Sequence, residues 1–158
     1  GQPDTTCHAF VGETVILPCT TTSPGELILS NSKLYWQIDS VLVHFFHNGQ
    51  DSLKFQDKHY HGRTSLFLDQ MKHGNFSLKL SNVQFLDAAV YTCIYKQTGD
   101  HPNQTQKSKI KLILHDNFLF FNVSGHSQTS FRSPADAPCL AMLPLSFHLL
   151  VTLGVWHL

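Results

Sequence analysis

The chain is poor in charged residues. Lys, Arg, Asp and Glu supply 14% of its 158 residues, whereas about 25% is usual in a soluble globular domain. The 11 basic and 11 acidic side chains give a formal net charge of zero. Because a domain that holds nucleic acid normally carries an excess of positive charge, we expect no nucleic-acid partner.

Motifs of catalysis and cofactor binding are also missing. The sequence has no Gly-x-Ser-x-Gly, no Gly-rich phosphate loop and no His-Glu-x-x-His. Histidines are numerous, but a zinc site needs about four converging ligands. Strand alternation would place His44 and His47 on opposite faces, and His59 and His61 precede another predicted strand. We therefore predict no enzyme, no metal site and no cofactor.

Helical periodicity is absent as well, and apolar residues alternate with polar ones at the period of two that is typical of strands. The predicted strands lie within residues 11–19, 33–38, 41–47, 52–55, 63–68, 75–80, 89–96 and 106–114. Asn48-Gly49 predicts a tight hairpin turn. The pattern indicates an all-β fold.

Cys19, Trp36 and Cys93 stand in an order that is typical of one such fold. Tyr91 lies two residues before Cys93, in the run Asp87-Ala-Ala-Val-Tyr91-Thr-Cys93. This arrangement resembles the variable-type immunoglobulin sandwich of two antiparallel sheets. The resemblance implies a Cys19–Cys93 disulfide between the sheets, with Trp36 packed on it and Tyr91 hydrogen-bonded back to the chain.

Longer motifs narrow the resemblance to one family. They are Tyr35-Trp36-Gln37, Asn48-Gly-Gln-Asp51, Arg63-Thr-Ser-Leu-Phe67 and Gly74-Asn-Phe-Ser-Leu-Lys-Leu80. Over residues 8–115 the chain resembles the B-seven ligands of T-cell costimulatory and coinhibitory receptors, which are akin to the butyrophilins. The resemblance implies a cell-surface ligand that modulates T-cell activation. It also implies a structural ion pair between Arg63 and Asp87 that closes one end of the sandwich.

In that family the receptor docks on the sheet of strands G, F, C and C′, and alternation identifies the outward side chains. On C′, His44 and Phe46 face outward if Phe45 faces inward. The predicted receptor-binding residues are Tyr35, Gln37, His44, Phe46, Ile94 and Lys96, with Lys109 and Lys111 on G beside them. Aromatic anchors with a cationic rim are typical of a protein interface.

The sequence divides into three parts. Residues 1–115 form the predicted variable-type domain, residues 116–139 a stalk, and residues 140–158 an apolar tail. The tail matches a glycolipid-anchor signal, with attachment near Ser127 and a polar spacer over residues 127–139 between the attachment site and the tail. A short transmembrane helix and secretion are the alternatives. The family's usual constant-type domain is missing, so a truncated decoy form of a two-domain ligand is a further alternative.

Sequons and cysteines place the chain on the secretory route. Asn75, Asn103 and Asn122 are predicted glycosylation sites. Cys7 and Cys139 have three alternatives: they pair with each other, Cys139 is lipidated, or Cys139 is removed and Cys7 bridges two molecules. We expect the protein on the extracellular side of the cell membrane, or secreted.

Two functional hypotheses follow from the sequence. The first is a ligand that binds an immunoglobulin-superfamily receptor on T cells. The second is an adhesion domain that uses the same sheet to bind itself, as a homodimer, or another surface protein. The two differ in oligomeric state, because a self-binding domain should associate through the residues of its own front sheet.

Overall fold

The computed structural model describes residues 1–23, 25–98, 105–116, 139 and 141–142. These residues form two packed sheets. The larger sheet contains, in spatial order, β1 (Thr5–Phe10), β9 (Thr105–His115), β8 (Ala89–Gln97), β3 (Ser32–Ile38), β4 (Val41–His47) and β5 (Gln50–Asp51). Its neighbours are antiparallel, except that β1 runs parallel to β9.

The second sheet covers the inner face of the first. It contains, in spatial order, β10 (Ala141–Met142), β2 (Thr14–Leu17), β7 (Leu78–Leu80) and β6 (Thr64–Leu66). A single-turn helix, α1 (Leu68–Met71), leads from β6 toward β7, and a 3-10 turn (Phe85–Asp87) precedes β8. The predicted all-β, two-sheet fold is therefore confirmed.

The predicted hairpin turn lies where the sequence placed it. Asn48 and Gly49 both have positive φ, 52° and 81°, as a type I′ turn requires. The turn pairs His47 directly with Gln50, so strand β5 occupies Gln50–Asp51 rather than the predicted residues 52–55.

Strand β4 contains a bulge that overturns part of the sequence prediction. Ile38 pairs with Val41 and Gln37 with Leu42, but Trp36 then pairs with His44, which leaves Val43 as an extra residue. One extra residue reverses the alternation of side chains beyond it. Val43 and His44 are consequently both buried, and the facing of every later residue on the strand is exchanged.

The core lies around the first disulfide. Cys19 is bonded to Cys93 with a Cα–Cα distance of 6.5 Å, and Trp36, opposite Cys93 in the sheet, is fully buried. The Trp36 indole Nε1 donates a hydrogen bond to the Phe76 carbonyl at 3.0 Å. The bridge and the indole therefore join the two sheets at the same depth.

A second disulfide joins Cys7 of β1 to Cys139, with a Cα–Cα distance of 5.3 Å. Both cysteines are buried. Just beyond Cys139, β10 pairs antiparallel with the first residues of β2. Of the three alternatives that the sequence leaves open for Cys7, the structure contains the intramolecular bridge.

Several sequence predictions lie outside the described residues. They concern Asn103, Asn122, Ser127, almost all of the stalk and most of the apolar tail. Among the residues that the structure describes, no helix has both the length and the apolar character needed to cross a bilayer.

Candidate binding face

The outward surface of β9, β8, β3 and β4 is here called the front face. Strand register arranges it in rows. One row runs Lys107, Ile94, Tyr35, Phe45 across the four strands, and the row above it runs Thr105, Lys96, Lys33, His47. Each row brings together residues up to 72 positions apart in the sequence. The rings lie on β3 and β4 and the lysines mainly on β8 and β9, so the face has an aromatic half and a cationic half.

The aromatic half is a stack of three rings, Tyr35, Phe45 and His47, here called the aromatic cluster. The centroids of Tyr35 and Phe45 are 4.6 Å apart, and those of Phe45 and His47 are 5.6 Å apart, with interplanar angles of 15° in both pairs. All three rings are half-buried. Phe45 contacts both other rings, and all three keep part of their surface exposed, so the cluster presents an apolar surface with a polar edge.

The cationic half lies on β8 and β9. Lys107, Lys109 and Lys111, here called the lysine column, follow one another on the outward side of β9. Lys96 of β8 is exposed and pairs directly with Lys33 of β3. The alternating residues Ile110 and Leu112, on either side of Lys111, are buried in the core, which fixes the outward direction of the lysines.

Four of the six predicted receptor-binding residues lie on this face. Tyr35, Gln37 and Ile94 are half-buried and outward, and Lys96 is exposed. Ile94 lies directly between Lys107 and Tyr35, so it connects the cationic half to the aromatic half.

The placement of His44 and Phe46 on the front face is wrong. Each is 1% exposed and points into the core. A regular β3–β4 hairpin continuing from the Ile38–Val41 pair would have set Trp36 opposite Val43 and turned both residues outward. The bulge at Val43 instead sets Phe46 opposite Leu34 and Phe45 opposite Tyr35.

His44 has a structural task on the inner side. Its Nδ1 hydrogen-bonds the Thr64 hydroxyl and its Nε2 the Asp51 carboxylate, both at 2.8 Å. The Gln56 amide donates to the same Thr64 hydroxyl at 2.7 Å and to the Val43 carbonyl at 2.9 Å. The network therefore gives the Val43 carbonyl at the bulge a hydrogen-bond partner. It also links β4 to β5 and to β6 of the other sheet.

Phe45 and His47 are the front-face residues that the sequence prediction missed. A bulge of one residue leaves no signature in the apolar pattern of β4, because Val41, Val43, Phe45 and Leu42, Phe46 make either side of the strand look apolar. A hint lay in the polar residues nearby: a histidine can be buried where a threonine and an aspartate supply hydrogen-bond partners for its ring.

Arg63 and Asp87 form the ion pair that the sequence predicts. The Arg63 guanidinium donates to both carboxylate oxygens, at 3.2 Å to Oδ1 and at shorter range to Oδ2. His59 Nε2 contacts Oδ1 at 2.6 Å, and the Gln84 backbone N–H donates to Oδ2 at 2.7 Å. These four residues are here called the Arg63–Asp87 cluster.

The electrostatics of this cluster favour the charged carboxylate. Burial by itself would raise the pKa of Asp87, which has no exposed surface. Hydrogen bonds from Arg63, the Gln84 backbone and His59 outweigh burial and hold the pKa of Asp87 below its usual value. The Tyr91 hydroxyl donates to the Asp87 carbonyl at 2.7 Å, and burial raises the Tyr91 pKa, so at neutral pH the Asp87 carboxylate is charged and the Tyr91 phenol is neutral.

The one predicted glycosylation site within the described residues is Asn75. Its side-chain oxygen accepts from the Ser77 backbone N–H at 3.1 Å, and its Nδ2 donates to Gln70 Oε1 at 2.7 Å. Gln70 is exposed and Asn75 half-buried, while Phe76 and Ser77 are buried. Asn75 therefore lies at the surface with its amide nitrogen directed toward an exposed neighbour.

No group of three or more metal-ligating side chains converges within the described residues. His47 of the front face is instead stacked on Phe45. His44 in the core and His59 of the Arg63–Asp87 cluster are engaged with hydroxyl and carboxylate groups.

Known proteins share this fold and these motifs. The sequence profile of the immunoglobulin V-set domain matches residues 2–115, so the chain belongs to the immunoglobulin V-set family. It is 44% identical over 85 residues to the human V-set domain-containing T-cell activation inhibitor 1, and the aligned region covers 52% of this chain and 29% of that protein. It is 31% identical over 149 residues to human myelin-oligodendrocyte glycoprotein, covering 94% of this chain and 53% of that protein.

Solved structures agree with the sequence relatives. The human B7-H4 IgV-like domain superposes with a TM-score of 0.60 at 34% identity, covering 69% of this chain and 91% of that domain. Bovine butyrophilin superposes with a TM-score of 0.55 at 25% identity, covering 72% of this chain and 53% of that one. The resemblance to B-seven proteins and butyrophilins is thus confirmed, and a domain of this family is a recognition module rather than an enzyme.

Proposed function

We propose that this protein is a cell-surface ligand that engages an immunoglobulin-superfamily receptor on T cells through its front face and modulates T-cell activation. The chain spans only 29% of the human T-cell activation inhibitor and 53% of the human myelin protein. The activity of a whole cell-surface ligand is therefore proposed from the similarity of one domain.

The observation that carries the proposal is the aromatic cluster beside the lysines. Binding energy in protein interfaces concentrates in a few aromatic side chains near the centre of the patch, with a polar rim around them. Tyr35 and Phe45 supply rigid apolar area, Ile94 extends it, and Lys33 and Lys96 border it. The ordering of these rings is already complete in the free domain, which lowers the entropic penalty of binding.

The relatives support the class of partner. The name of the human relative describes an inhibitor of T-cell activation, and the solved B7-H4 IgV-like domain superposes over 69% of this chain. A homophilic adhesion domain, or homodimer, would use the same surface on itself, and the experiment below separates the two.

Placement outside the cell is supported by the two disulfides, because such bridges persist in oxidising compartments. Membrane attachment through the C-terminal segment, with lipid attachment at Ser127, stays a prediction. It excludes the Cys7–Cys139 bridge in the mature protein, since cleavage after Ser127 removes Cys139. Peptide mapping of surface protein under non-reducing conditions separates the two forms: a Cys7–Cys139 peptide contradicts attachment at Ser127.

The test of the proposed function is a binding screen. Cells displaying the full chain are stained with soluble, tagged ectodomains of T-cell costimulatory and coinhibitory receptors, and with the soluble chain itself. We expect saturable staining by at least one receptor ectodomain. Staining by the chain alone would favour homophilic adhesion, and the absence of staining by every receptor would contradict the proposal.

A further inference from the structure

The lysines of the front face are arranged as a line. Side chains on one side of a strand are spaced by two residues, or roughly 7 Å, so the lysine column extends over about 14 Å along β9. Lys107 and Lys111 are exposed and Lys109 is half-buried. At the upper end, Lys96 and Lys33 extend the positive surface sideways across β8 and β3.

Within the described residues, the five lysines have few anionic neighbours. None of them forms an ion pair with another of the residues that the structure describes, whereas Lys72, on a different surface, pairs with Glu26 at 3.3 Å. Lys33 and Lys96 are direct cross-strand partners, and like charges in that position destabilise a sheet. The arrangement therefore carries an electrostatic penalty that an anionic ligand would relieve.

One carboxylate touches the column from the side. Asp4 accepts a hydrogen bond from the Lys109 backbone N–H at 2.7 Å, and its own backbone N–H donates to the Lys109 carbonyl. It therefore lies at the edge of β9, bonded to the main chain, and offsets only one of the five positive charges.

We propose that the lysine column, with Lys96 and Lys33, binds a sulfated polysaccharide of the cell surface. A linear polyanion repeats its negative charges along one direction, as the column repeats its positive charges. Lysine acts as a mobile point charge that suits sulfate groups without demanding a planar, two-pronged partner, and clustered basic residues are typical of heparin-binding patches. This site shares Lys33 and Lys96 with the border of the proposed receptor surface. The aromatic cluster plays no part in it, so loss of heparin binding and loss of receptor binding can be measured separately.

The test uses heparin as the probe. The full chain is applied to immobilised heparin and, separately, to a sulfopropyl resin that carries sulfonate groups without a polysaccharide. We expect elution from heparin at the higher salt concentration. The triple variant Lys107→Ala, Lys109→Ala, Lys111→Ala should lose that difference, and Asp4→Asn, which keeps the bond to the main chain, should be retained longer than the unaltered chain.

A matched control changes the same net charge elsewhere. Lys54→Ala, Lys58→Ala and Lys79→Ala lie outside the front face, and this triple variant should keep its retention on heparin. In solution, the slope of log K against log salt should become less steep as front-face lysines are removed, because each lysine that pairs with an anionic group releases counterions. Equal elution from the two resins, or equal losses in the two triple variants, would overturn the proposal. A different result would also overturn it: lysine-dependent retention of the protein on a resin that carries an acidic protein, without retention on heparin. That result would indicate a protein partner instead.

Discussion

The Arg63–Asp87 cluster and the front face belong to the same sandwich but treat polar and aromatic groups in opposite ways. In the cluster, Asp87 is fully buried and its carboxylate receives hydrogen bonds from a guanidinium, an imidazole and a backbone amide. On the front face, rings and ammonium groups stay half or wholly exposed. The cluster uses its charges to fix geometry, whereas the front face keeps its side chains available to a partner.

The same contrast exists between two neighbouring phenylalanines. Phe46 is 1% exposed and packs in the core, while Phe45 stacks on Tyr35 at the surface. A single inserted residue, Val43, decides which of the two faces outward. Adjacent positions of one strand therefore separate stability from recognition, and the predictions below use that separation.

The largest expected effect comes from removing the Cys19–Cys93 disulfide, which stabilises the sandwich to which both regions belong. In the chain-entropy account, losing the Cys19–Cys93 bridge by a double change to alanine should lower the free energy of unfolding by about 4–5 kcal/mol. Chemical denaturation of the purified protein measures it. Free thiols at both positions in the unaltered, non-reduced protein would contradict this account.

The next effect breaks the Arg63–Asp87 cluster. Arg63→Ala leaves the Asp87 carboxylate buried without its main partner, which should destabilise the fold by about 3–5 kcal/mol. Arg63→Lys keeps the positive charge but loses the two-pronged contact, so we expect an intermediate loss. Thermal melts compare the three proteins, and an Arg63→Ala variant that melts with the unaltered chain would show that the pair does not stabilise the fold.

The two phenylalanines provide a matched comparison of similar size. Phe46→Ala opens a cavity in the core and should lower the free energy of unfolding by about 3–5 kcal/mol. Phe45→Ala removes only a surface ring contact, so the loss should stay near 1 kcal/mol. Urea denaturation measures both, and equal losses would mean that the bulge does not direct Phe46 inward.

Much of this architecture is predictable from the sequence. The order of Cys19, Trp36, Tyr91 and Cys93 is sufficient for the fold, and the Asn48-Gly49 turn is specified locally by its backbone preference. What the sequence does not show is the facing of His44 and Phe46. The direction of these side chains depends on the register of β4 against β3, and that register depends on the bulge at Val43. The Val43 carbonyl accepts a hydrogen bond from Gln56, thirteen residues away in the sequence.

The second disulfide shows the same limit. Four cysteines allow three pairings, and the resemblance of one pair to a known fold leaves Cys7 and Cys139 undefined. Their sequence separation is 132 residues, so no local pattern links them. The two lysines Lys33 and Lys96 likewise become neighbours only through the β3–β8 register.

A smaller expected effect concerns the stability of the fold in acid, which tests whether the Asp87 carboxylate contributes to it. Because the folded-state pKa of Asp87 lies below its unfolded value, its contribution is fully present above the unfolded pKa, about 3.9. It is lost as the pH falls through the folded-state pKa. Asp87→Asn should therefore flatten the acid limb of a stability–pH curve, and an unchanged limb would assign acid denaturation to other carboxylates.

The most direct test of the central claim is a binding measurement on the front face. The receptor ectodomain identified by the screen is titrated onto cells that display the unaltered chain, Phe45→Ala or Phe85→Ala. The Phe85 ring is 56% exposed but belongs to the 3-10 turn before β8, outside the front face. Phe45→Ala should weaken binding by about 2 kcal/mol or more, roughly thirtyfold, while Phe85→Ala binds like the unaltered chain. Equal affinity of all three proteins would contradict the claim that the aromatic cluster is the binding site.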